Sequence, residues 1–477
     1  MNILMVTSEA VPFSKSGGLA DVVGALAPAL NSKGHNTKIV VPAYNTGNSD
    51  AGKKVCEFSV HTLARDERVE IRSKTVNETE YCFVCHPLFT DRLGIYGDTS
   101  FTPYNDNLLR FSLFCKAALL YCIETGFKPD VIHCHDWTAG LLPYFMKAMN
   151  SLFFMDTKTV FTIHNLAYQG TFSKMDFLLT DTKADEDIVF NDRINMLYCG
   201  LMFSDFITTV SPTYAKEIQS AEQGCGLESI ISERKKHLRG IVNGIDTNEW
   251  NPERDKLLEN GFSASDLSGK KKLKTALQRR FGLPEESDTP LFAMISRLAV
   301  QKGFDALIPC LEKILKENKV QFVIIGTGDR ELENTLLGMA ERNPNLSVNI
   351  MFSNSAAHLA EAGSDFFLMP SRYEPCGLNQ LYSLRYGTIP IARRTGGLAD
   401  TVIDIDEFPQ NGNGLLFDNL CPQEIEKSVL RAVKLYGNEN FKEIIRRAMS
   451  RDSSWDASAD EYIEVFCELK KDRRDIQ

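Results

Sequence analysis

The chain has 477 residues, more than one hydrophobic core usually supports, so we expect two or three domains. Its formal net charge of −10 argues against nucleic acid or an anionic membrane surface as the main partner, although a local cluster of cations can still bind a small anion. Twelve cysteines favour a reducing compartment, and neither a secretory signal nor a membrane span is predicted, so we expect a cytoplasmic protein.

The first half of the chain alternates apolar runs with helical patterns. Between about 54 and 100 the polarity alternates from residue to residue, which indicates antiparallel hairpins. Ser211 followed by Pro212 is typical of the first residues of a helix. The other predicted segments are strands at 3–6, 38–41, 131–135, 160–163 and 206–210, and helices at 19–30, 106–124 and 138–149.

The second half repeats this pattern after a domain boundary that we place near residue 245. A charged segment at 253–274 is predicted to be a loop. Strands that alternate with helices predict parallel sheets covered on both faces, whose ligands bind outside the carboxyl ends of the strands. The predicted segments are strands at 291–296, 322–325, 366–369 and 389–391, and an amphipathic, acidic helix at 457–469, which either packs back on the first lobe or is a plain surface helix.

One hexapeptide pattern occurs twice, as SGGLAD at 16–21 and as TGGLAD at 395–400. A Gly-Gly pair lets the backbone turn tightly and approach a ligand, and the residues after it can open a helix whose free N–H groups bind an anion. Two unrelated tight turns are the alternative interpretation. Lys15 precedes the first copy and is suited to a phosphate, although a solvated loop lysine fits equally well.

Three further clusters follow predicted strands. His164 and Asn165 end one strand, where a histidine is more often a hydrogen-bonded support than a general base. Arg297 and Lys302 follow another and could bind a diphosphate, or could simply be surface cations. Glu374 follows a third, where a carboxylate can bind sugar hydroxyls or stabilise positive charge, or can be an exposed loop residue.

Support for a metal site is thin. The segment His133-Cys134-His135 contains metal-binding residue types, but in a strand the two histidines and the cysteine point to opposite faces. The Asp-x-Asp tripeptides at 185–187 and 404–406 look incidental, and the C-x-x-C pair at 82–85 lies in a strand-like run. We therefore expect no metal and no cofactor.

Taken together, the motifs resemble those of bacterial glycogen synthases and plant starch synthases, which are GT-B glycosyltransferases that use ADP-glucose. The resemblance spans nearly the whole chain. It implies two Rossmann-like, doubly wound α/β lobes that face each other across a cleft: an acceptor-side lobe at 1–245, a nucleotide-sugar lobe at 246–455, and a terminal helix at 456–477 that packs back on the first lobe. The motifs are KSGGLADVVGALAPAL from Lys15, HDW from His135, TIHNLAYQG from Thr162, NGID from Asn243, SRL from Ser296, QKG from Gln301, EPCGLNQLY from Glu374 and TGGLADTV from Thr395.

The resemblance also implies the reaction, which is transfer of glucose from ADP-glucose to the non-reducing 4-hydroxyl of an α-1,4-glucan with retention and release of ADP. It implies catalytic roles for His164, Arg297, Lys302 and Glu374. Two positions depart from the family pattern, where Ser16 and Asn379 each replace a threonine. The implied substrate-binding residues are Lys15, Gly17, Gly18, Asp21, Tyr96, Asp136, Asn165, Asn243, Cys376, Gly377, Leu378, Thr395, Gly396 and Gly397.

No Asp or Glu adjoins His164 in the sequence, so the residues offer no nucleophile for a double displacement. A same-face mechanism fits better, in which the leaving diphosphate, held by Arg297 and Lys302, helps to deprotonate the incoming hydroxyl. Three alternatives stay open: a GT-B enzyme for UDP-glucose or another acceptor, a nicotinamide oxidoreductase, and a non-catalytic carbohydrate-binding protein. The oxidoreductase is disfavoured because the first glycine loop lacks the G-x-G-x-x-G spacing.

Overall fold

The computed structural model describes residues 1–45, 51–62, 65–99, 102–180 and 186–471. The chain divides into two compact units, one formed by Met1–Gly244 with Trp455–Gln477 and the other by Ile245–Ser454. Both are α/β structures built on parallel sheets, as the alternation of strands and helices predicts. Within the described ranges, no helix is both long enough and apolar enough to cross a membrane.

The first unit contains one large mixed sheet and a small antiparallel one. The large sheet has the strand order β12-β11-β7-β6-β1-β2-β5-β4-β3, and the small one the order β8-β10-β9. The strands are β1 Asn2–Val6, β2 Asn36–Pro42, β3 Lys53–His61, β4 Asp66–Val76, β5 Thr79–Cys85, β6 Val131–His135, β7 Lys158–Ile163, β8 Thr171–Ser173, β9 Val189–Phe190, β10 Arg193–Asn195, β11 Phe206–Thr209 and β12 Leu238–Gly240.

The antiparallel hairpins predicted between 54 and 100 are confirmed as β3, β4 and β5, and β5 pairs in parallel with β2. The turn from β4 to β5 is formed by Asn77 and Glu78, whose φ angles are +47° and +62°. Two central residues with positive φ match the right-handed twist of the paired strands. The hairpins therefore extend the sheet at the edge that ends in β3.

Local sequence signals place some helices of the first unit correctly, and the start at Ser211 and Pro212 is confirmed. Ser211 caps the helix that begins at Pro212, because its hydroxyl accepts a hydrogen bond from Tyr214 N at 2.9 Å. The helix predicted at 138–149 is instead a 3₁₀ turn at Trp137–Ala139 followed by an α-helix from Leu142. The helices are α1 Gly18–Ser32, α2 Pro87–Thr90, α3 Asn107–Thr125, α4 Leu142–Met149, α5 Lys174–Phe177, α6 Met196–Phe203, α7 Pro212–Glu217 and α8 Glu228–Glu233.

The second unit is a parallel sheet in the order β15-β14-β13-β16-β17-β18, with helices connecting the strands. Its centre is held by stacked rings, because Phe292 lies 4.8 Å from Phe322 and 5.1 Å from Phe366 between ring centroids. The elements are β13 Leu291–Ile295, β14 Gln321–Gly326, β15 Leu346–Ile350, β16 Phe366–Met369, β17 Ile389–Arg393, β18 Leu415–Phe417, and α9 Ser268–Arg280, α10 Phe304–Glu317, α11 Arg330–Ala340, α12 Asn354–Gly363, α13 Asn379–Arg385, α14 Gly396–Thr401, α15 Pro422–Tyr436 and α16 Phe441–Ser450.

The prediction of a loop at 253–274 is wrong in its last part, because α9 begins at Ser268. The segment looks exposed because it is rich in lysine, yet Lys270 and Lys274 are both buried. The ammonium of Lys270 donates to Ala362 O at 2.9 Å and to Thr388 Oγ1 at 2.7 Å. Long side chains can bury their aliphatic stems when the charged end finds partners, so residue polarity misleads here.

The last helix, α17 Trp455–Lys471, belongs to the first unit. Its buried face, which includes Tyr462 and Phe466, joins the apolar core that contains Ile3 and Met5 of β1. Arg239 adds ion pairs to Glu464 and Glu468 of this helix at 3.4 and 3.2 Å. Helix α17 is thus part of the same unit as β1 and α1.

Candidate active site

The large sheet of each unit reverses its strand order beside the first strand of that unit. In the first unit β1 lies between β2 and β6, so the chain adds strands first on one side of β1 and then on the other. In the second unit β13 has the same position between β14 and β16. Ligands of open α/β sheets bind at such switch points, outside the carboxyl ends of the strands. The candidate residues are therefore those that follow β1 and β6 in one unit and β13 and β16 in the other.

Glu9 follows β1 and organises the glycine loop of the first unit. Glu9 is 3% exposed, and its carboxylate accepts hydrogen bonds from the backbone N–H groups of Ser16 and Gly17, the latter at 3.1 Å. The hydroxyl of Ser16 donates to the same carboxylate at 3.0 Å. Glu9 is not among the residues predicted from the sequence, although its place three residues after a buried strand is a signal for it.

The glycine loop therefore differs from the expectation that its N–H groups meet a phosphate. Those of Ser16 and Gly17 are directed at Glu9, so an anion would meet the first turn of α1, which begins at Gly18. The Lys15 ammonium lies 2.7 Å from an Asp21 carboxylate oxygen. Burial raises the pKa of Asp21, and Lys15 opposes that rise.

Tyr96 joins the same cluster from a distant part of the chain. Its hydroxyl donates to Glu9 Oε1 at 2.6 Å and lies 2.8 Å from Ser8 Oγ. Burial, with the nearby Glu9 charge, raises the pKa of the Tyr96 phenol well above its ordinary value. Tyr96 therefore acts as a neutral hydrogen-bond donor at the end of β1.

Asp136 follows β6, and its carboxylate lies beside the backbone of His164. No carboxylate adjoins His164 in the sequence itself. Its Oδ1 accepts hydrogen bonds from the backbone N–H of His164 at 2.7 Å and from that of Asn165 at 3.4 Å. The backbone of Asp136 has a φ of +55°, a conformation that non-glycine residues seldom adopt. Burial raises the pKa of Asp136 to about 7, although the two N–H groups act to lower it.

His164 and Asn165 follow β7, the neighbour of β6. Burial lowers the pKa of His164 to about 3, so its ring is neutral near pH 7. The side-chain oxygen of Asn165 accepts a hydrogen bond from Ala167 N at 3.1 Å, which holds the turn after the strand. Asn243, in contrast, follows the edge strand β12, and its buried Oδ1 has no hydrogen-bond partner among the described residues.

In the second unit the switch point holds Glu374 and Lys302. Glu374 follows β16, and its side chain is 8% exposed. Its Oε2 lies 2.5 Å from the Lys302 ammonium and accepts a hydrogen bond from Ser371 Oγ at 2.9 Å. A nearly buried carboxylate is thereby paired with one cation.

Arg297 lies two residues beyond the end of β13, on the other side of the switch point. Its guanidinium lies 3.5 Å from Gln301 Oε1, in the turn that leads to Lys302. The departure at Asn379 is also placed here, because its amide donates to Ile295 O at 2.6 Å. The asparagine therefore ties the first residue of α13 to the last residue of β13.

The second glycine pair packs two loops of the site against each other. A Cβ atom at Gly396, where φ is +44°, would lie 2.0 Å from Glu374 O, and one at Gly397 would lie 2.1 Å from Cys376 O. Gly397 N also donates to Glu374 O at 3.1 Å. Thr395 precedes this pair, and α14 begins at Gly396. Both positions therefore require glycine, because the neighbouring backbone lies too close to leave room for a Cβ atom.

The residues after Glu374 lead into α13. Cys376 is 4% exposed, and burial of this kind suits a structural thiol rather than a nucleophile. Gly377 has a φ of +73°, and Leu378 is the N-cap of α13. The structure thus brings Lys302, Glu374, Cys376 and the Thr395–Gly397 loop together within the second unit.

Phe352 is a further candidate residue, and it is not among those predicted from the sequence. It lies two residues beyond β15, and its side chain is 91% exposed, the largest exposed fraction among the large apolar residues of the described ranges. An aromatic ring held in solvent at the carboxyl edge of a sheet can stack on a flat ligand group. Its signal in the sequence is weak, because a lone phenylalanine in a polar turn is ordinarily taken for core.

No group of three or more His, Cys, Asp and Glu side chains is arranged to hold a metal in the part of the chain that the structure describes. In the Asp-x-Asp tripeptide at 404–406, Asp404 and Asp406 form ion pairs with the guanidinium of Arg431 at 3.0 and 2.7 Å. Asp185, in the other tripeptide, lies outside the described residues.

Comparison with known proteins identifies the family. Residues 2–233 match the model of the starch synthase catalytic domain, and residues 277–450 match that of glycosyl transferases group 1. A glycogen synthase of Treponema denticola is 41% identical, with 98% of each chain covered, and one of Myxococcus xanthus is 44% identical, with 98% of this chain and 99% of the relative covered.

Solved structures agree with this. The catalytic domain of starch synthase IV from Arabidopsis thaliana, bound to ADP and acarbose, has a TM-score of 0.89 and 33% identity, with 98% of this chain and 99% of that one covered. A sucrose-phosphate synthase from Thermosynechococcus elongatus, at 15% identity and a TM-score of 0.63 with 98% of each chain covered, shares the fold. The chain therefore belongs to the family of glycogen and starch synthases, which are glycosyltransferases with the GT-B fold.

Proposed function

We propose that the chain transfers glucose from ADP-glucose to the non-reducing 4-hydroxyl of an α-1,4-glucan, with retention at the anomeric carbon and release of ADP. The observation that carries this proposal is the Lys302–Glu374 pair at the switch point of the second unit, with Arg297 on the neighbouring strand end. A diphosphate needs cations that are already held in place, and a sugar needs a fixed carboxylate. The related starch synthase IV is bound to ADP and acarbose, which supports the same donor and acceptor classes.

In this proposal the second unit binds the donor. Arg297 and Lys302 bind the diphosphate, and Glu374 keeps the Lys302 ammonium in position while it accepts hydrogen bonds from the sugar hydroxyls. The exposed ring of Phe352 stacks on the base. The loop formed by Thr395, Gly396 and Gly397, together with the turn at Cys376, Gly377 and Leu378, shapes the backbone around the sugar and phosphate.

The first unit contributes the groups that contact the transferred glucose. His164, Asn165 and Asp136 converge after β6 and β7, and we assign them to the glucose hydroxyls. Lys15, Asp21 and Tyr96 converge with Glu9 after β1, and we assign that cluster, with the first turn of α1 from Gly18, to the nucleotide sugar. Asn243 is assigned to substrate only by its place in the family motif.

The proposed chemistry takes place on one face of the sugar. The bond from the anomeric carbon to the diphosphate oxygen breaks, the bond to the acceptor 4-oxygen forms, and the acceptor proton passes to the leaving phosphate oxygen. Arg297 and Lys302 stabilise the charge that develops on that leaving group. Asp136 is hydrogen-bonded to the His164 backbone, but its Oδ1 is engaged by two N–H groups, which assigns this carboxylate to support of the turn after β7 rather than to nucleophilic attack.

Radiolabelled glucose transferred from ADP-glucose into precipitable polysaccharide tests the function directly. UDP-glucose in a parallel assay tests the alternative donor, and turnover that prefers UDP-glucose would contradict the donor assignment. A glucosyl adduct trapped on Asp136 would overturn the same-face chemistry. We also propose a cytoplasmic location for the reaction, because twelve cysteines in a chain of this length favour a reducing compartment.

A further inference from the structure

Two histidines of neighbouring strands are hydrogen-bonded to each other at the candidate site. His135, the last residue of β6, is fully buried, and its Nδ1 lies 3.0 Å from Nε2 of His164. The parallel pairing of β6 with β7 sets His135 opposite Thr162, two residues before His164. The register of β6 and β7 therefore brings the two rings close together, since His164 lies one residue beyond the end of β7.

The other ring nitrogen of His135 decides the direction of this hydrogen bond. His135 Nε2 is buried and has no hydrogen-bond partner in the described parts of the chain. Burial lowers the pKa values of both His135 and His164, so each ring is neutral and carries one proton. A proton on His135 Nε2 would be a buried N–H without an acceptor, and such groups are rare because they lose their hydration without replacement.

We infer that His135 is a positioning residue that fixes the ring tautomer of His164. The proton of His135 sits on Nδ1 and is donated to Nε2 of His164, so His164 carries its own proton on Nδ1. The hydrogen bond made by one ring nitrogen sets the state of the other, which makes His164 Nδ1–H a hydrogen-bond donor.

This donor is available to a ligand. His164 is only partly buried, and within the described ranges its Nδ1 has no hydrogen-bond partner. On the proposed function, on which this step rests, the ligand group is an oxygen of the transferred hexosyl unit, which accepts the hydrogen bond as charge redistributes during transfer. In the opposite tautomer, Nδ1 of His164 would carry no proton, so it would accept a hydrogen bond from a sugar hydroxyl instead of donating one.

The wild-type tautomer is the first test and needs no variant. Nitrogen-15 spectra of the full-length protein labelled at histidine, with the His164 signal assigned from a His164→Gln sample, report which ring nitrogen carries the proton. We expect the proton on Nδ1. A proton on Nε2 of His164 would overturn the inference, whatever the activity of the enzyme.

Variants test the consequence for turnover. His135→Leu removes the donor, so the His164 tautomers should mix and kcat should fall about 10²-fold, while the KM for ADP-glucose stays within about twofold. His135→Asn keeps an amide N–H near the original Nδ1 and should restore most of kcat and the wild-type tautomer signal.

The matched control is His133→Leu. His133 is on the same face of β6, is equally buried, and has its ring centroid 4.1 Å from that of His135, but its hydrogen bond goes to Thr162 Oγ1 at 2.6 Å. This variant should lose stability and keep the His164 signal and kcat.

If His135→Leu lowers kcat no more than the control does, or changes kcat without changing the His164 signal, the inference is overturned. Failure of the wild-type protein to transfer glucose would instead contradict the proposed function and leave the tautomer result standing.

Discussion

The ammonium of Lys302 lies 2.5 Å from Oε2 of Glu374, although the two residues are 72 positions apart in the chain. They follow β13 and β16, which are neighbours at the point where the strand order of the second unit reverses. Glu374 is nearly buried and Lys302 is partly buried, so the carboxylate depends on the ammonium for its stability. A change to one partner should therefore alter the chemistry more than the affinity.

Glu374→Gln should lower kcat about 10²-fold and change the KM for ADP-glucose much less, because the amide keeps the shape of the site but no longer balances Lys302. Steady-state kinetics with glycogen measure both constants. Asp305→Asn is the matched control, since Asp305 pairs with Arg372 on the surface of the same unit and should leave both constants unchanged. A rise in KM alone would mean that Glu374 only binds the donor.

Lys15→Gln should chiefly weaken donor binding, with the KM for ADP-glucose rising about tenfold, because a half-exposed cation beside the start of α1 is lost. Isothermal titration with ADP provides an independent measurement. Lys33→Gln is the control, since Lys33 follows the other end of α1 and pairs with Asp460. Unchanged donor affinity in Lys15→Gln would count against the phosphate assignment.

Phe352→Ala should raise the KM for ADP-glucose about tenfold to a hundredfold, the usual cost of losing an aromatic ring that stacks on a base. Thermal stability should not change, because the ring is 91% exposed. Phe408→Ala removes another exposed ring, 56% accessible, and should leave the KM at its wild-type value. Equal effects of the two substitutions would indicate that Phe352 has no specific contact.

Gly396→Ala should destabilise the protein and reduce kcat. The new Cβ would lie 2.0 Å from Glu374 O at a residue with a φ of +44°, so the backbone of Glu374 would have to move. Gly338→Ala is the opposite case, because Gly338 lies inside α11 and its nearest neighbour is 3.8 Å from the added Cβ. That control should gain about 0.5–1 kcal/mol in the free energy of unfolding. Equal melting temperatures for the two variants would contradict the close packing.

Buried histidines should make the protein sensitive to acid. Burial lowers the pKa of His133 to about 3, so between that value and about 6.5 the unfolded chain binds a proton that the folded chain does not. Stability from this neutral ring is present above about pH 6.5 and is lost as the pH falls towards 3. His133→Gln should therefore narrow the difference between urea midpoints measured near pH 7.5 and pH 5. An unchanged difference would show that His133 is not responsible.

Much of the fold and the family could be predicted from local patterns. The apolar runs that end at Val6, Ile163 and Met369 are strands in the structure, and the residues directly after strands are the site candidates. The alternation of strands with helices and the periodicity of apolar residues depend only on residues that are close in the sequence, so both can be read from the sequence alone. The prediction of a loop at 253–274 is wrong in its last part because the partners of its buried lysines are distant in the sequence, so no local pattern shows them.

Sequence by itself determined that the chain is an α/β protein with parallel sheets, that its polar clusters follow strands, and that its motifs are those of glycogen and starch synthases. Only the tertiary structure decided that Glu9 takes the N–H groups of the glycine loop, that Asp136 supports the His164 backbone, and that His135 contacts the His164 ring. These contacts depend on which strands are neighbours in the sheet. Strand order follows from the packing of the whole chain, which no local pattern records.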